Sequence, residues 1–511
     1  EDVTNVDSIG IATARTGIDV TGGHIDLVDD SRIRVGTGDD LQIYHDGSNS
    51  YVQDTGTGGL KITGGDVYIR NTSDQDMIHA SSGSFVKLYH NNSKKLETTT
   101  TGAKVTGALE VTQEYPSIRP TLDLNFATTK TLDRRITFTR DSVGTYTDEN
   151  GLVKYASNNT PRFDHDLTTG ESLGLLIEEA GTNYSLYSRR FDLIASGSWV
   201  PQNGGATPTV TANTHTAPDG TSSGIQMADT ITGATGTAFN GNVVQQQYTA
   251  ASNVKHTFSL YIKLLTATQA SIYIRDGATG SISSSNAQNT QDWQRVVVTS
   301  SAALTNATMH SFYIGNANGT IAVWGSQIEN KGYASSYMRT HTSTGSRAAD
   351  IAKITGTNFI DFYNQTEGTV FSSHQQYSGQ GDTQNTYVYQ IANANSSSVA
   401  FRLLDKNNYY SNPARLTATQ WTNDVALQKP DVTNGERIRT AFACKANDAA
   451  VSYDGATVLT DNSLDMNSGQ IEMSIGAFTQ TPQAFLNGHI QQISYYPKRL
   501  PNAQLQGLTQ Q

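Results

Sequence analysis

Cysteine is almost absent: Cys444 is alone in a chain of 511 residues, so no internal disulfide is available to staple the fold. It sits between Phe442 and Val451 in an apolar strand pattern, the setting of a packing thiol rather than a reactive one. Long apolar runs are missing too. No stretch reaches the roughly 18 residues of a membrane-spanning helix, and Glu1-Asp-Val-Thr-Asn5 does not read as a signal peptide. The absence of an initiator Met leads us to expect a fragment or a processed product. Basic charge is scarce: 35 Lys and Arg against 46 Asp and Glu give a formal net charge of −11. With no Lys/Arg clusters, nucleic acid and other polyphosphates are poor partners. Also missing are a Gly-rich phosphate loop followed by Lys-Ser/Thr, a His-Glu-x-x-His pair, a cysteine pair and a Gly-x-Ser-x-Gly nucleophile turn.

What is present is polar without being highly charged. Hydrophobic residues are 36% and charged residues 16%, and Thr, Ser, Asn, Gln and 45 Gly make up much of the rest. Such a composition predicts many short strands and turns, hence an all-β chain. Regular apolar alternation, with 24 Tyr and 15 Phe, argues against disorder. The length suits about three or four domains.

The most informative feature is a repeat. Leu41-Gln-Ile-Tyr-His-Asp-Gly-Ser48 is echoed by Val86-Lys-Leu-Tyr-His-Asn-Asn-Ser93, and Thr16-Gly-Ile-Asp-Val-Thr-Gly22 by Thr101-Gly-Ala-Lys-Val-Thr-Gly107. Across residues 1–115 the apolar side chains, among them Ile43, Val52, Leu60, Ile62, Val67 and Ile69, come in runs of a few residues between turn signals. One copy of this strip has too little apolar surface for its own core. We therefore expect a stalk in which identical chains intertwine as a homotrimer. A single-chain β-solenoid is the structural alternative, although solenoids usually need three or more repeats.

Residues 116–185 start a different strand pattern, read as a small β connector, with a hairpin turn at Asp148-Glu-Asn-Gly151. Residues 186–345 read as an antiparallel jelly roll, with strands at Thr257–Lys263, Ala270–Arg275, Trp293–Val298 and Ile321–Ile328. Residues 346–511 read as a second, tandem β-sandwich that ends in a short helix near Leu500–Leu508, with Pro501 at its start.

Three of these parts resemble known families. The Leu-Gln-Ile-Tyr-His-Asp-Gly-Ser repeat with its Thr-Gly-x-x-Val-Thr-Gly partner resembles the stalk repeats of fibres from marine tailed bacteriophages. The connector carries Arg119-Pro-Thr-Leu-Asp-Leu-Asn-Phe126, Ile136-Thr-Phe-Thr-Arg140, Pro161-Arg-Phe-Asp-His165 and Leu173-Gly-Leu-Leu-Ile-Glu-Glu179. It is similar to the module that precedes carbohydrate-binding-like domains in phage fibre and tail proteins, with Gly181 where phage examples often carry Arg. Phe258-x-x-Tyr261 and the closing strand Val323–Glu329 resemble carbohydrate-binding jelly rolls. Asp454-Gly455 and Gly488-x-Ile-x-x-Ile-x-Tyr-Tyr496 are similar to laminin-G or concanavalin-A-like sandwiches.

Glu178 and Glu179 invite a glycosidase reading. Adjacent strand residues point to opposite faces, so the two cannot flank one glycosidic bond, and an Arg partner or a turn cap is expected instead. His45 and His90 follow Tyr at equivalent repeat positions and are read as turn-flanking residues, with a metal or anion site on a trimer axis as the alternative. A sugar site needs an exposed aromatic face beside amides or carboxylates. Trp293 and Trp324 lie inside alternating strands and are assigned to the core. Trp199, Tyr409, Tyr410 and Trp421, with Asp405, Asn407 and Asn408, form the carbohydrate-site expectation. Calcium is common in both resembled sandwich families. Asp276-Gly277 and Asp461-Asn462 are turns that could supply oxygen ligands, without EF-hand spacing.

The resulting expectation is a non-enzymatic virion fibre, a tail fibre or similar, that joins other virion proteins at its N-terminal end. Its sandwiches would contact host cell-surface polysaccharide, with no membrane insertion. A purely structural capsid (head) fibre or decoration protein is the alternative. A capsule depolymerase would need carboxylates grouped in a groove, and a secreted adhesin fits the phage-like connector poorly.

Overall fold

A computed structural model describes residues 13–100, 102–107, 118–192 and, within 199–510, all but 203–208, 223–227, 233–242, 249–253, 277–281, 289–291, 302, 304–307, 315–318, 378–385, 394–398, 407–414, 420–426, 430–432, 434, 464–468 and 479–483. Strands dominate, as expected, and the longest described helix, Asn502–Thr509, follows Pro501. The chain divides into two compact units, Glu1–Thr112 and Gln113–Gln511.

The N-terminal unit consists of antiparallel meanders. Arg32–Val35, Leu41–His45 and Ser50–Asp54 form one sheet, and five strands between Asp66 and Val105 form another. Each described pairing here is antiparallel between sequence neighbours, which is not the parallel coil of a solenoid. Both copies of the repeat are strands running into a turn, but the turns differ. In the second copy His90 pairs with Ser93 across Asn91-Asn92, both at positive φ, a two-residue turn matched to strand twist. In the first, His45 pairs with Ser50, and Asp46 Oδ1 accepts the Ser48 and Asn49 N–H groups at 2.9 and 2.7 Å. His45 Nδ1 lies 3.1 Å from Ser50 Oγ, in keeping with a turn-flanking role. No described residue of this unit is buried, and Ile18, Val28 and Ile62 are 77%, 79% and 71% exposed.

The C-terminal unit departs from the expected string of modules. Its sandwich has one sheet of seven strands and one of eight. The strand Gly488–Tyr496 pairs on one edge with Glu367–Gln376 and on the other with Ser172–Ile177 and Leu122–Asn125. Thr137–Thr139 joins the opposite sheet beside Ile351–Thr355. Residues 116–185 therefore do not form a separate connector; they supply strands to both sheets. The reason lies in their apolar alternation: Leu122, Leu124, Phe126, Leu175 and Ile177 bury completely or nearly so in the same core as Val370, Phe401 and Tyr495. Cys444 is buried in that core, and burial pushes its thiol well above its ordinary value.

The jelly roll is an insertion in this sandwich. Gly181–Asn183 pairs with Gly345–Arg347, so the chain enters and leaves the insertion side by side. Two five-stranded sheets enclose a core that includes Phe258, Leu260, Ile262, Ile272, Ile321 and Val323. The register slips between Ser259 and Tyr261, opposite Gly325 at φ +67°. An added Cβ at Gly325 would meet the Tyr261 ring at 3.0 Å, so this bulge needs glycine.

A buried ionic cluster ties the segments together. Arg140 Nη1 lies 3.0 Å from Asp350 Oδ1, Arg162 bonds both Asp350 and Glu178, and Arg347 reaches Glu178 at 3.4 Å. Burial alone would raise the Glu178 carboxyl, but the Arg347 and Arg162 guanidiniums, with Ser336, hold it well below the usual carboxylate range. Glu179 takes other partners, Lys331 at 2.9 Å and the Tyr333 hydroxyl at 2.6 Å. Glu178 thus has the Arg partner expected of it, and both glutamates follow the end of the strand Ser172–Ile177 rather than lying on it.

Candidate functional site

A cleft of about 1040 Å³ is lined by Asp164 and His165 of the strand Phe163–His165, the segment around Trp293 in the inserted jelly roll, and Asn487 and His489 at the start of the strand Gly488–Tyr496. Asp164, one of the lining residues, is held from two sides. One carboxylate oxygen accepts the Thr147 N–H at 2.6 Å, and the other lies 2.9 Å from His489 Nε2. His165 places Nδ1 3.0 Å from the Thr147 carbonyl. Asp166 Oδ1 closes the following turn by accepting the Thr168 and Thr169 N–H groups at 2.9 and 2.8 Å. Tyr377 meets the His489 ring edge-on at 5.6 Å, and burial pushes its phenol up to about 12.

The opposite wall belongs to the insertion. Trp293 is partly buried against the small cluster of Tyr261, Trp324 and Tyr337, and it also lines the cleft. Gln294 exchanges two hydrogen bonds with the Gln288 backbone at 2.6 and 3.0 Å, which fixes the start of the Gln294–Thr299 strand. Arg295 donates to Ser259 Oγ at 3.0 Å, with its guanidinium carbon 5.6 Å from the Tyr261 ring centre. An indole and a phenol stand beside carboxylates, imidazoles and amides, a combination that can stack on a sugar ring and hold its hydroxyls.

Neither Trp199 nor Asp405, both expected at a sugar site, lines this cleft. Trp199 is fully buried, its ring 4.9 Å from that of Phe191, so it fills the jelly-roll core and offers no face to a ligand. Asp405 lies on the strand Val399–Lys406, opposite Thr386 and Leu416. Asn407, Asn408, Tyr409, Tyr410 and Trp421 lie outside the described residues. Trp324 is core as expected, but Trp293 is not. The signal for Trp293 is its place just before the strand Gln294–Thr299, between the polar Asp292 and Gln294.

The two turns read as sources of calcium ligands are Asp276-Gly277 and Asp461-Asn462. Asp276 is buried and Gly277 lies outside the described residues. Asp461 Oδ1 accepts from Ser463 N–H and Oγ–H at 2.8 and 2.7 Å. Among the described residues no group of three or more His, Cys, Asp or Glu side chains is arranged to hold a metal.

No protein-family model matches the chain, and no curated protein sequence matches it. Solved structures do. The CBM40 of the Ruminococcus gnavus IT-sialidase, bound to α2,6-sialyllactose, is 17% identical over 29% of this chain and 84% of its own, with a TM-score of 0.24. The CBM22-1–CBM22-2 tandem of Paenibacillus barcinonensis Xyn10C is 11% identical over 62% and 96%, with a TM-score of 0.23. Trypanosoma rangeli sialidase in complex with sialic acid is 7% identical over 55% of this chain and 60% of its own, with a TM-score of 0.26. The expectation of a non-enzymatic chain is corrected on this finding, since sialidases stand among its structural neighbours. At 7% identity and a TM-score of 0.26 the likeness assigns no reaction.

Proposed function

We propose that this protein recognises glycans through the cleft of its C-terminal unit and self-associates as a homotrimer through its N-terminal unit, as a fibre on the tail or capsid exterior of a virion. Its partners are other virion proteins and the polysaccharide of a host cell surface. The cleft carries the reading, because it sets the Trp293 indole beside Asp164, His165 and His489 in one recess. The trimer is supported by the N-terminal unit's lack of any buried described residue. Apolar surface gains about 25 cal/mol per Å² when removed from water, and a sister chain is the simplest cover for it. Three weak sites on one assembly multiply effective affinity without a deep pocket.

Two measurements test this. On a glycan array, the full chain is expected to bind, and Trp293→Ala to lower affinity on the order of tenfold by removing the stacking surface. Equal binding by both proteins would retire the cleft as the site. Light scattering of the full chain is expected to give the mass of three chains; a monodisperse single chain would remove the avidity argument.

A further inference from the structure

We infer that the cleft selects uncharged or amino-substituted sugars and rejects anionic ones; this rests on the glycan reading above. Four of the charged side chains lining the cleft are carboxylates, Asp164, Asp166, Glu178 and Asp292, and one is a guanidinium, Arg295. Glu178 is matched from behind by Arg162 and Arg347. Across the lining as a whole, acidic side chains still outnumber the single guanidinium. A uronate, sialate or sulfate brought into the cleft meets charge of its own sign, and repulsion of this kind is strengthened where water is partly excluded.

The imidazoles point the same way. His165 and His489 are each 5% exposed. His165 donates from Nδ1 to the Thr147 carbonyl, which leaves Nε2 as an acceptor, and that atom is buried without a partner among the described residues. His489 donates from Nε2 to Asp164, and its Nδ1 is a second buried ring nitrogen without a partner among the described residues. The His165 Nε2 acceptor, beside carboxylates, calls for a donor. Sugar hydroxyls and ammonium groups donate; carboxylates and sulfates only accept.

The test uses the full chain and three sets of oligosaccharides of equal length: chitosan (amino), chitin (uncharged) and alginate (anionic). Titration calorimetry is expected to give affinity for one or both of the first two at least tenfold above that for alginate. Alginate bound as tightly as the others overturns the inference and leaves glycan recognition standing. No binding to any of the three, nor to any member of the array, retires both. Asp292→Asn changes an exposed residue and is expected to narrow the gap between the best-bound sugar and alginate at least twofold. An unchanged gap overturns the charge argument.

Discussion

Replacing Asp350 with alanine costs the C-terminal unit about 3–5 kcal/mol of stability, the usual effect of breaking a buried ion pair from one side. Asp350 is fully buried, bonds Arg140 and Arg162, and lies 3.8 Å from Arg347. It also accepts the Glu178 N–H at 2.9 Å. Without it three buried guanidiniums face one carboxylate, Glu178, in a medium that screens them poorly. The damage spreads because the cluster joins distant parts of the chain. Arg140 holds the carbonyls of Ala156 and Ser157 at 3.3 and 2.8 Å, and Arg162 holds the Thr145 carbonyl at 2.9 Å and Ser336 Oγ at 2.7 Å. Urea unfolding followed by tryptophan fluorescence is the measurement. Asp350→Asn keeps the shape and removes the charge, and is expected to lose nearly as much. A midpoint unmoved in both variants would mean that water already solvates the guanidiniums.

Acid is expected to unfold the C-terminal sandwich through His374. This residue lies on the strand Glu367–Gln376, is fully buried, and has no partner among the described residues for either ring nitrogen. Burial holds its value down to about 3, against 6.5 ordinarily. Between those values the unfolded chain binds a proton that the folded chain refuses. The contribution of neutral His374 is therefore complete above pH 6.5 and drains away as the pH falls toward 3, by on the order of 4–5 kcal/mol in all. Glu178, with its lowered carboxyl, adds to the same trend at still lower pH. His374→Leu removes the imidazole's share, so its urea midpoint should fall much less than the parent's between pH 7 and 4. Parallel losses in the two proteins would assign the acid sensitivity to other groups.

Local chemistry was legible wherever one segment settles it. The turns at Asp46-Gly47 and Asn91-Asn92, the closing helix after Pro501, the buried thiol of Cys444 and the Arg partners of Glu178 all follow from residue type and strand periodicity. So does the shortage of core in the first hundred residues, since short apolar runs between turns cannot bury themselves. The site was less legible. Trp199 and Trp293 both follow polar stretches of sequence, yet one fills a core and the other lines a cleft.

By itself, then, the sequence determined the strands, their apolar faces, their turns and the all-β class, because alternation and turn chemistry act over a few residues. Only the tertiary structure decided which strand lies beside which. It set Leu122–Asn125 and Ser172–Ile177 against Gly488–Tyr496, made residues 186–345 an insertion, and brought Asp164, Trp293 and His489 to one recess. Alternation marks the face of a strand that must be covered but says nothing about its neighbour, which is chosen by packing among segments hundreds of residues apart.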